Sequence, residues 1–319
     1  MSIFERLNKI KSRRDSPGPK RETDQSPGVI PGGREITGTL GSFLLFESAE
    51  PDCCCLPIFT GGLAGNLKLI RGIGPVTEER LKEEGLATLE SLLDHPRWGS
   101  QAHLVKRLIE EKRTAEIRRL GAPDRDLLCF FAPRDIVFLD IESTGLWASQ
   151  PLFLIGLLYP DGNKMVAQQF FARHYSEEKA LLEAVHRRLK DFSVIVTFNG
   201  KRFDIPYMEG RSVEHRLFHR YRHFQVDLLH HARRHFSPVL PDCRLATLEE
   251  RVLGVIRKDD IPGHLIPETY HRFVRTRDQG LILPVISHNR TDLLSMARLF
   301  YLVGEKTVET GGGTQQTGV

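Results

Sequence analysis

The sequence predicts an α/β protein: a mixed sheet flanked by helices, preceded by a small helical region. Three observations carry this expectation. From about residue 130 to 304, strand-like runs alternate with helix-like ones. Two of those runs, 152–159 and 165–171, are joined by Pro160-Asp161-Gly162-Asn163, whose Asp-Gly pair signals a tight hairpin. The run before them, Ile136-Val-Phe-Leu-Asp140-Ile-Glu142, is an apolar strand that turns acidic at its end and enters the turn Ser143-Thr144-Gly145-Leu146. A hairpin here argues against a plain doubly wound nucleotide-binding sheet, which needs a helical crossover between parallel strands.

Taken in order, residues 136–142, 152–159 and 165–171 make three strands. Ser176 caps the next helix, with Glu177 and Glu178 in its first turn and Leu181, Leu182, Val185 and Leu189 as its apolar stripe. Residues 194–198 form a buried strand, followed by a helix from about 204, a strand near 224–228 and a final helix from about 288 to 303. The order βββαβαβ is that of the ribonuclease-H-like fold, whose first three strands are antiparallel.

The bulk numbers agree. A chain of 319 residues, 40% hydrophobic and 27% charged, suits one or two soluble domains. No run reaches the roughly 18 apolar residues a membrane span needs. The amino terminus, residues 1–14, is charged and lacks the apolar core of a secretory signal, so a cytoplasmic location is expected. Of five cysteines, Cys53, Cys54 and Cys55 are consecutive while Cys129 and Cys243 stand alone, which offers no zinc-chelating pair. The net charge of +4 permits a polyanionic partner. From Arg211 to Phe236 there are six Arg and six His against Glu214 and Asp227, a stretch that either tracks a phosphate backbone or is a solvated helix face.

Residues 1–40, rich in Ser, Pro, Gly, Lys and Arg, are expected to stay unfolded, as is the tail 305–319. Between the leader and the main domain lies a small region, 41–125. Within its 64–100 segment, Leu67 to Gly85 reads as helix, glycine hairpin, helix. Gly72 and Gly74 permit a turn with positive φ, and Pro75 or Thr77 opens the second helix with its N–H groups free to meet a phosphate. Thr88 to Leu93 continues it with an apolar helix stripe. The segment resembles a helix-hairpin-helix motif, which implies that Gly72 and Gly74 contact a nucleic-acid backbone; a packing or partner-binding role is the alternative.

The acidic residues carry the chemistry. Period-two alternation puts Asp140 and Glu142 on one face of their strand, roughly 6 to 7 Å apart. Asn199-Gly200-Lys-Arg-Phe203-Asp204-Ile-Pro206 follows the 194–198 strand, so Asp204 sits at a strand's carboxyl end, where ligands gather in open α/β sheets. His288 and Asp292, four apart, share one helix face. Asp227, near another strand end, is either an outer-shell acid or a helix cap.

Together these motifs resemble the DEDD superfamily of 3′-to-5′ exonucleases. Asp140 and Glu142 match its first motif, Asp204 its second and Asp292 its third. The segments Cys243 to Glu249 and Leu281 to Ser295 look like the bacterial YprB-type ribonuclease-H-like proteins. The resemblance implies that these four carboxylates hold two Mg²⁺ or Mn²⁺ ions, that Thr144, Leu146, Asn199 and Phe203 contact nucleic acid, and that the substrate is DNA or RNA. Oxygen-only ligation also favours those ions over zinc. His288 departs from the superfamily's common patterns: it stands four residues before Asp292, where tyrosine is usual and where histidine-type members use the fifth. It is a candidate base for the attacking water, or a helix-packing residue. A catalytically inactive nucleic-acid-binding protein and a structure-specific endonuclease are the rival functions. The sequence names no protein partner.

Overall fold

The computed structural model describes residues 30–51, 56–257 and 260–305. Seven strands make one sheet: β1 (Gly33–Gly38), β2 (Gly41–Glu50), β3 (Ile136–Ser143), β4 (Leu152–Asp161), β5 (Lys164–Phe171), β6 (Val194–Thr197) and β7 (Phe224–Asp227). Their spatial order is β1-β2-β5-β4-β3-β6-β7. β3, β4 and β5 are antiparallel neighbours, while β3, β6 and β7 run parallel. This is the ribonuclease-H-like arrangement expected from the Asp161-Gly162 hairpin, with an added hairpin at one edge.

The longer helices of the small region are α1 (Pro75–Glu83), α2 (Gly99–Glu110) and α3 (Thr114–Arg119). The longer helices that flank the sheet are α4 (Glu178–Leu189), α5 (Asp204–Glu214), α6 (Leu228–Phe236), α7 (Ile266–Thr276) and α8 (Gln279–Glu305). Strand alternation sorts β3 between two cores. Val137, Leu139 and Ile141 pack with α4, α7 and the start of α8. Ile136 and Phe138 pack on the other side with α6 and the second half of α8. Asp140 and Glu142 continue this second face, so α8 crosses directly over them.

Several elements differ from the sequence expectation. Residues 33–40, expected to be unfolded, belong to β1 and its turn, and β2 pairs along β5 from Leu44↔Phe171 to Glu50↔Met165. The glycines of the hairpin look loop-like in sequence, yet Phe43, Leu44, Leu45 and Phe46 are buried in the first core. α8 begins nine residues before His288 and runs through Pro284, its sixth residue, which removes one rung of the hydrogen-bond ladder, that to the Gly280 carbonyl. Ser176 does not cap α4. A 3-10 turn, Tyr175–Glu177, intervenes, and the His174 side chain accepts from the Ser176 N–H at 3.3 Å.

In the small region the first expected helix is replaced by two 3-10 turns, Leu63–Gly65 and Leu67–Leu69, and the 88–93 stripe by another, Glu90–Leu92. Gly72 has φ +92° but Gly74 is extended, φ −95° and ψ −179°. Arg118 ties this region to the sheet by donating to the Gln225 carbonyl at 3.0 Å. Cys53, Cys54, Cys55, the leader up to residue 29 and the tail from 306 lie outside the described residues.

Candidate active site

Four carboxylates from three elements meet at the carboxyl end of the central strands. Asp140 and Glu142 come from β3, Asp204 from the first turn of α5, and Asp292 from α8. The loop after β6 is built to deliver Asp204. Asn199 takes positive φ, +66°, and a Cβ on Gly200 would stand 2.4 Å from Thr197 Cβ, so only glycine fits there. Asp227 fixes that loop: its carboxylate accepts from the N–H groups of Asn199 at 2.8 Å and Lys201 at 3.3 Å. It also caps α6 through Leu229 N–H at 3.1 Å. Asp204 itself accepts from Ile141 N–H at 3.2 Å, which joins it to β3 between Asp140 and Glu142.

The third strand of contacts was hidden in sequence. Asn289 is fully buried; its amide N–H groups reach Asp140 Oδ2 at 2.8 Å and the Asp140 carbonyl at 3.3 Å. Its own oxygen accepts from Gln169 Nε2 at 2.8 Å. Gln169 breaks the apolar face of β5, and a polar residue at a buried strand position was the available signal. Gly156, opposite Asp140 on β4, leaves room for this approach, since a Cβ there would lie 2.2 Å from Asn289 Oδ1.

Burial and mutual repulsion push all four carboxyls upward. Asp140 and Glu142 rise well above the usual range through burial and the charges of Asp292 and their neighbours. Asp204 is raised to about 7 by burial, against the N–H groups that it accepts from. Asp292 is raised by burial, with His288 and Arg257 opposing. Arg257, unremarked in sequence, pairs with Asp292 and grips buried Glu249 with two bonds of 2.6 and 2.7 Å. Among the described residues, no three His, Cys, Asp or Glu side chains stand as a ready-made metal cage. The Asp292 carboxylate is turned onto Arg257. The donor chemistry nevertheless fits a hard divalent cation: the carboxyls supply oxygen alone, and a cation removes the repulsion that raises them.

His288 Nε2 lies 3.7 Å from Asp292 Oδ2, and its Nδ1 is 2.9 Å from Asp260. Thr144 is buried and closes the loop after β3 by donating to the Pro151 carbonyl at 3.0 Å. Leu146 and its neighbour Trp147 stand 78% and 75% exposed. Asn199 lines the cleft over Asp140 and Asp292 together with Arg233 and Arg244. Phe203 packs against Tyr207 and the first core. Gly72 and Gly74 do not line this cleft.

The fold defines a ribonuclease-H-like, nuclease-type domain. A family model described as RNase_H superfamily matches residues 137–303, and the chain belongs to that superfamily. It is 32% identical over 178 residues to an uncharacterized protein, YprB, of Bacillus subtilis (strain 168). That match covers 54% of this chain and 42% of the relative, so the chain spans less than half of the relative's length. A family B DNA polymerase from the hyperthermophilic archaeon Pyrobaculum calidifontis aligns with TM-score 0.42 and 19% identity over 56% of this chain and 25% of that one.

No helix among the described residues is long and apolar enough to cross a membrane.

Proposed function

We propose that the chain is a divalent-metal-dependent nuclease that hydrolyses phosphodiester bonds of nucleic acid from a 3′ end. The observation that carries this reading is the convergence of Asp140, Glu142, Asp204 and Asp292 at the carboxyl ends of the central strands, where their charges raise one another's proton affinity and Asp140 and Asp292 line a cleft. Two Mg²⁺ or Mn²⁺ ions held by these four residues would neutralise them and polarise the phosphodiester.

The remaining work falls to the chain's own side chains. Asn289 holds the Asp140 carboxylate in register, and the Ile141 N–H holds Asp204. His288, beside Asp292, takes the proton of the attacking water. Asn199, Arg233 and Arg244 line the approach to the carboxylates, and the two arginines supply positive charge for the substrate backbone. Leu146 and Trp147, exposed beside the Glu142 turn, offer apolar surface on which a base stacks. Gly72, at the turn before α1, serves as a more distant phosphate contact.

One observation favours a second reading. Arg257 already supplies a cation to Asp292, as expected of a nucleic-acid-binding protein that does not hydrolyse. Purified protein on 3′- and 5′-labelled single- and double-stranded DNA and RNA, with Mg²⁺, Mn²⁺ or EDTA, separates the two. Metal-dependent release of nucleotides from the 3′ end is expected. Binding without cleavage in either metal selects the second reading, and internal cuts select an endonuclease.

A further inference from the structure

His288 and Asp292 project from one face of α8, and a second pair of residues approaches them from the segment between Gly254 and α7. Both oxygens of Asp260 lie 2.9 Å from His288 Nδ1. Arg257 Nη1 donates to Asp260 Oδ2 at 3.0 Å, while its Nη2 reaches Glu249 and Asp292. Glu249 is 1% exposed, so its two bonds hold the guanidinium from behind.

The donor inventory sets the histidine's tautomer. A carboxylate only accepts, so the Asp260 contact requires a proton on Nδ1. Burial disfavours ionised Asp260, but His288 and Arg257 outweigh it and hold this carboxyl below its ordinary range. Arg257 Nη1 also lies 3.1 Å from Nδ1, yet a guanidinium cannot accept and a protonated Nδ1 has no lone pair to offer. The two donors therefore share Asp260. With Nδ1 protonated, neutral His288 keeps its lone pair on Nε2, 3.7 Å from Asp292 Oδ2.

We infer that Asp260, braced by Arg257 and Glu249, is a positioning residue that fixes His288 as the Nδ1-protonated tautomer and aims its bare Nε2 toward Asp292, where the attacking water of the proposed reaction would lie. The inference rests on the nuclease reading. It goes beyond that reading by assigning the histidine's orientation to residues outside the carboxylate cluster. Orienting partners of this kind affect activity by about 10- to 100-fold.

The test joins a spectrum to kinetics. In the full chain with ¹⁵N-labelled histidine at about pH 8, where an ordinary imidazole is neutral, His288 is expected to show a protonated Nδ1 and an unprotonated Nε2. Its resonances are assigned by their loss in His288→Gln. Asp260→Asn should lower kcat by about 10- to 100-fold with KM and melting temperature near parental, and Asp260→Glu should recover part of the loss. A protonated Nε2 in the parent protein overturns the inference, and that measurement needs no variant of Asp260 to fold. Parental kcat in Asp260→Asn overturns it too. Should Asp140→Asn be inactive while Asp260→Asn is parental, the positioning role alone fails. Should Asp140→Asn also hydrolyse at the parental rate, the nuclease site itself is misplaced.

Discussion

The buried amide of Asn289 on α8 donates to Asp140 Oδ2 at 2.8 Å, binding the last helix of the fold to the strand that carries the first acidic motif. The bond is one link of a relay. Gln169 on β5 donates to Asn289, which in turn donates to Asp140, so a residue three strands into the sheet orients a carboxylate of the cleft. Asn289→Leu should therefore do two things. It leaves the Gln169 amide without its side-chain acceptor, at about 1–3 kcal/mol of stability, and frees the Asp140 carboxylate to turn. Urea unfolding checks the first effect. A fall in kcat larger than the rise in KM checks the second.

Gly156 should tolerate no side chain. A Cβ would meet Asn289 Oδ1 at 2.2 Å and Leu293 Cδ1 at 2.7 Å, and both belong to a helix packed along its length against the sheet. Gly156→Ala is expected to destabilise by about 1–3 kcal/mol, as overpacking does, and to lose hydrolysis as α8 is pushed from Asp140. Unchanged unfolding midpoint and activity would show that α8 yields freely.

Much of this site was legible in sequence because its carriers obey short periods. Period two placed Asp140 and Glu142 on the same face, and i, i+4 spacing placed His288 beside Asp292. Asn289, Arg257 and Asp260 were not legible, because their partners lie on other elements and no local pattern records such pairings. Asn289 sits inside the flagged motif, but its meaning depends on Gln169 and Asp140, 120 and 149 residues away. The same holds for the β1–β2 hairpin. Its strand character is fixed by pairing with β5, and the glycines at 33, 38 and 41 look like linker when read alone.

Leu146 and Trp147 should act on substrate binding. Both are more than two-thirds exposed, so removing them costs little stability. Stacking of a base on an aromatic ring such as that of Trp147 contributes about 1–3 kcal/mol. The double substitution Leu146→Ala with Trp147→Ala should raise KM for a single-stranded oligonucleotide with kcat nearly kept and the melting temperature unmoved. Unchanged KM would remove these side chains from the substrate path.

Acid stability offers a test away from the cleft. The rings of His186 and His219 stack at 3.7 Å; His186 Nδ1 is buried without a hydrogen-bond partner among the described residues, while His219 Nε2 lies 3.1 Å from the Glu183 carboxylate. Burial, with the His219 charge, depresses His186 to about 4. Above pH 6.5 neither the folded nor the unfolded state protonates this ring, and its contribution is complete. Between 6.5 and about 4 the unfolded chain takes up a proton that the folded one refuses, so stability falls as pH falls. Asp204, raised to about 7, acts with the opposite sign: the metal-free fold loses its contribution as pH rises toward that value. The His186 share is isolated by subtraction. His186→Phe, which keeps an aromatic stack, should flatten the decline between pH 6.5 and 4 relative to the parent, read from unfolding midpoints. Parallel curves would show that the stacked pair does not resist protonation.

The central claim is that Asp140, Glu142, Asp204 and Asp292 are the hydrolytic site, and the most direct test is the rate of 3′-end-labelled oligonucleotide hydrolysis by Asp140→Asn at saturating Mg²⁺ or Mn²⁺. The substitution keeps the side chain's shape and a hydrogen-bonding partner for Asn289 while removing the charge. The account predicts a loss of several kcal/mol of transition-state stabilisation, roughly 10³-fold in rate, with the melting temperature of the metal-free protein preserved. Hydrolysis at more than about a tenth of the parent rate, in protein free of contaminating nuclease, would contradict it.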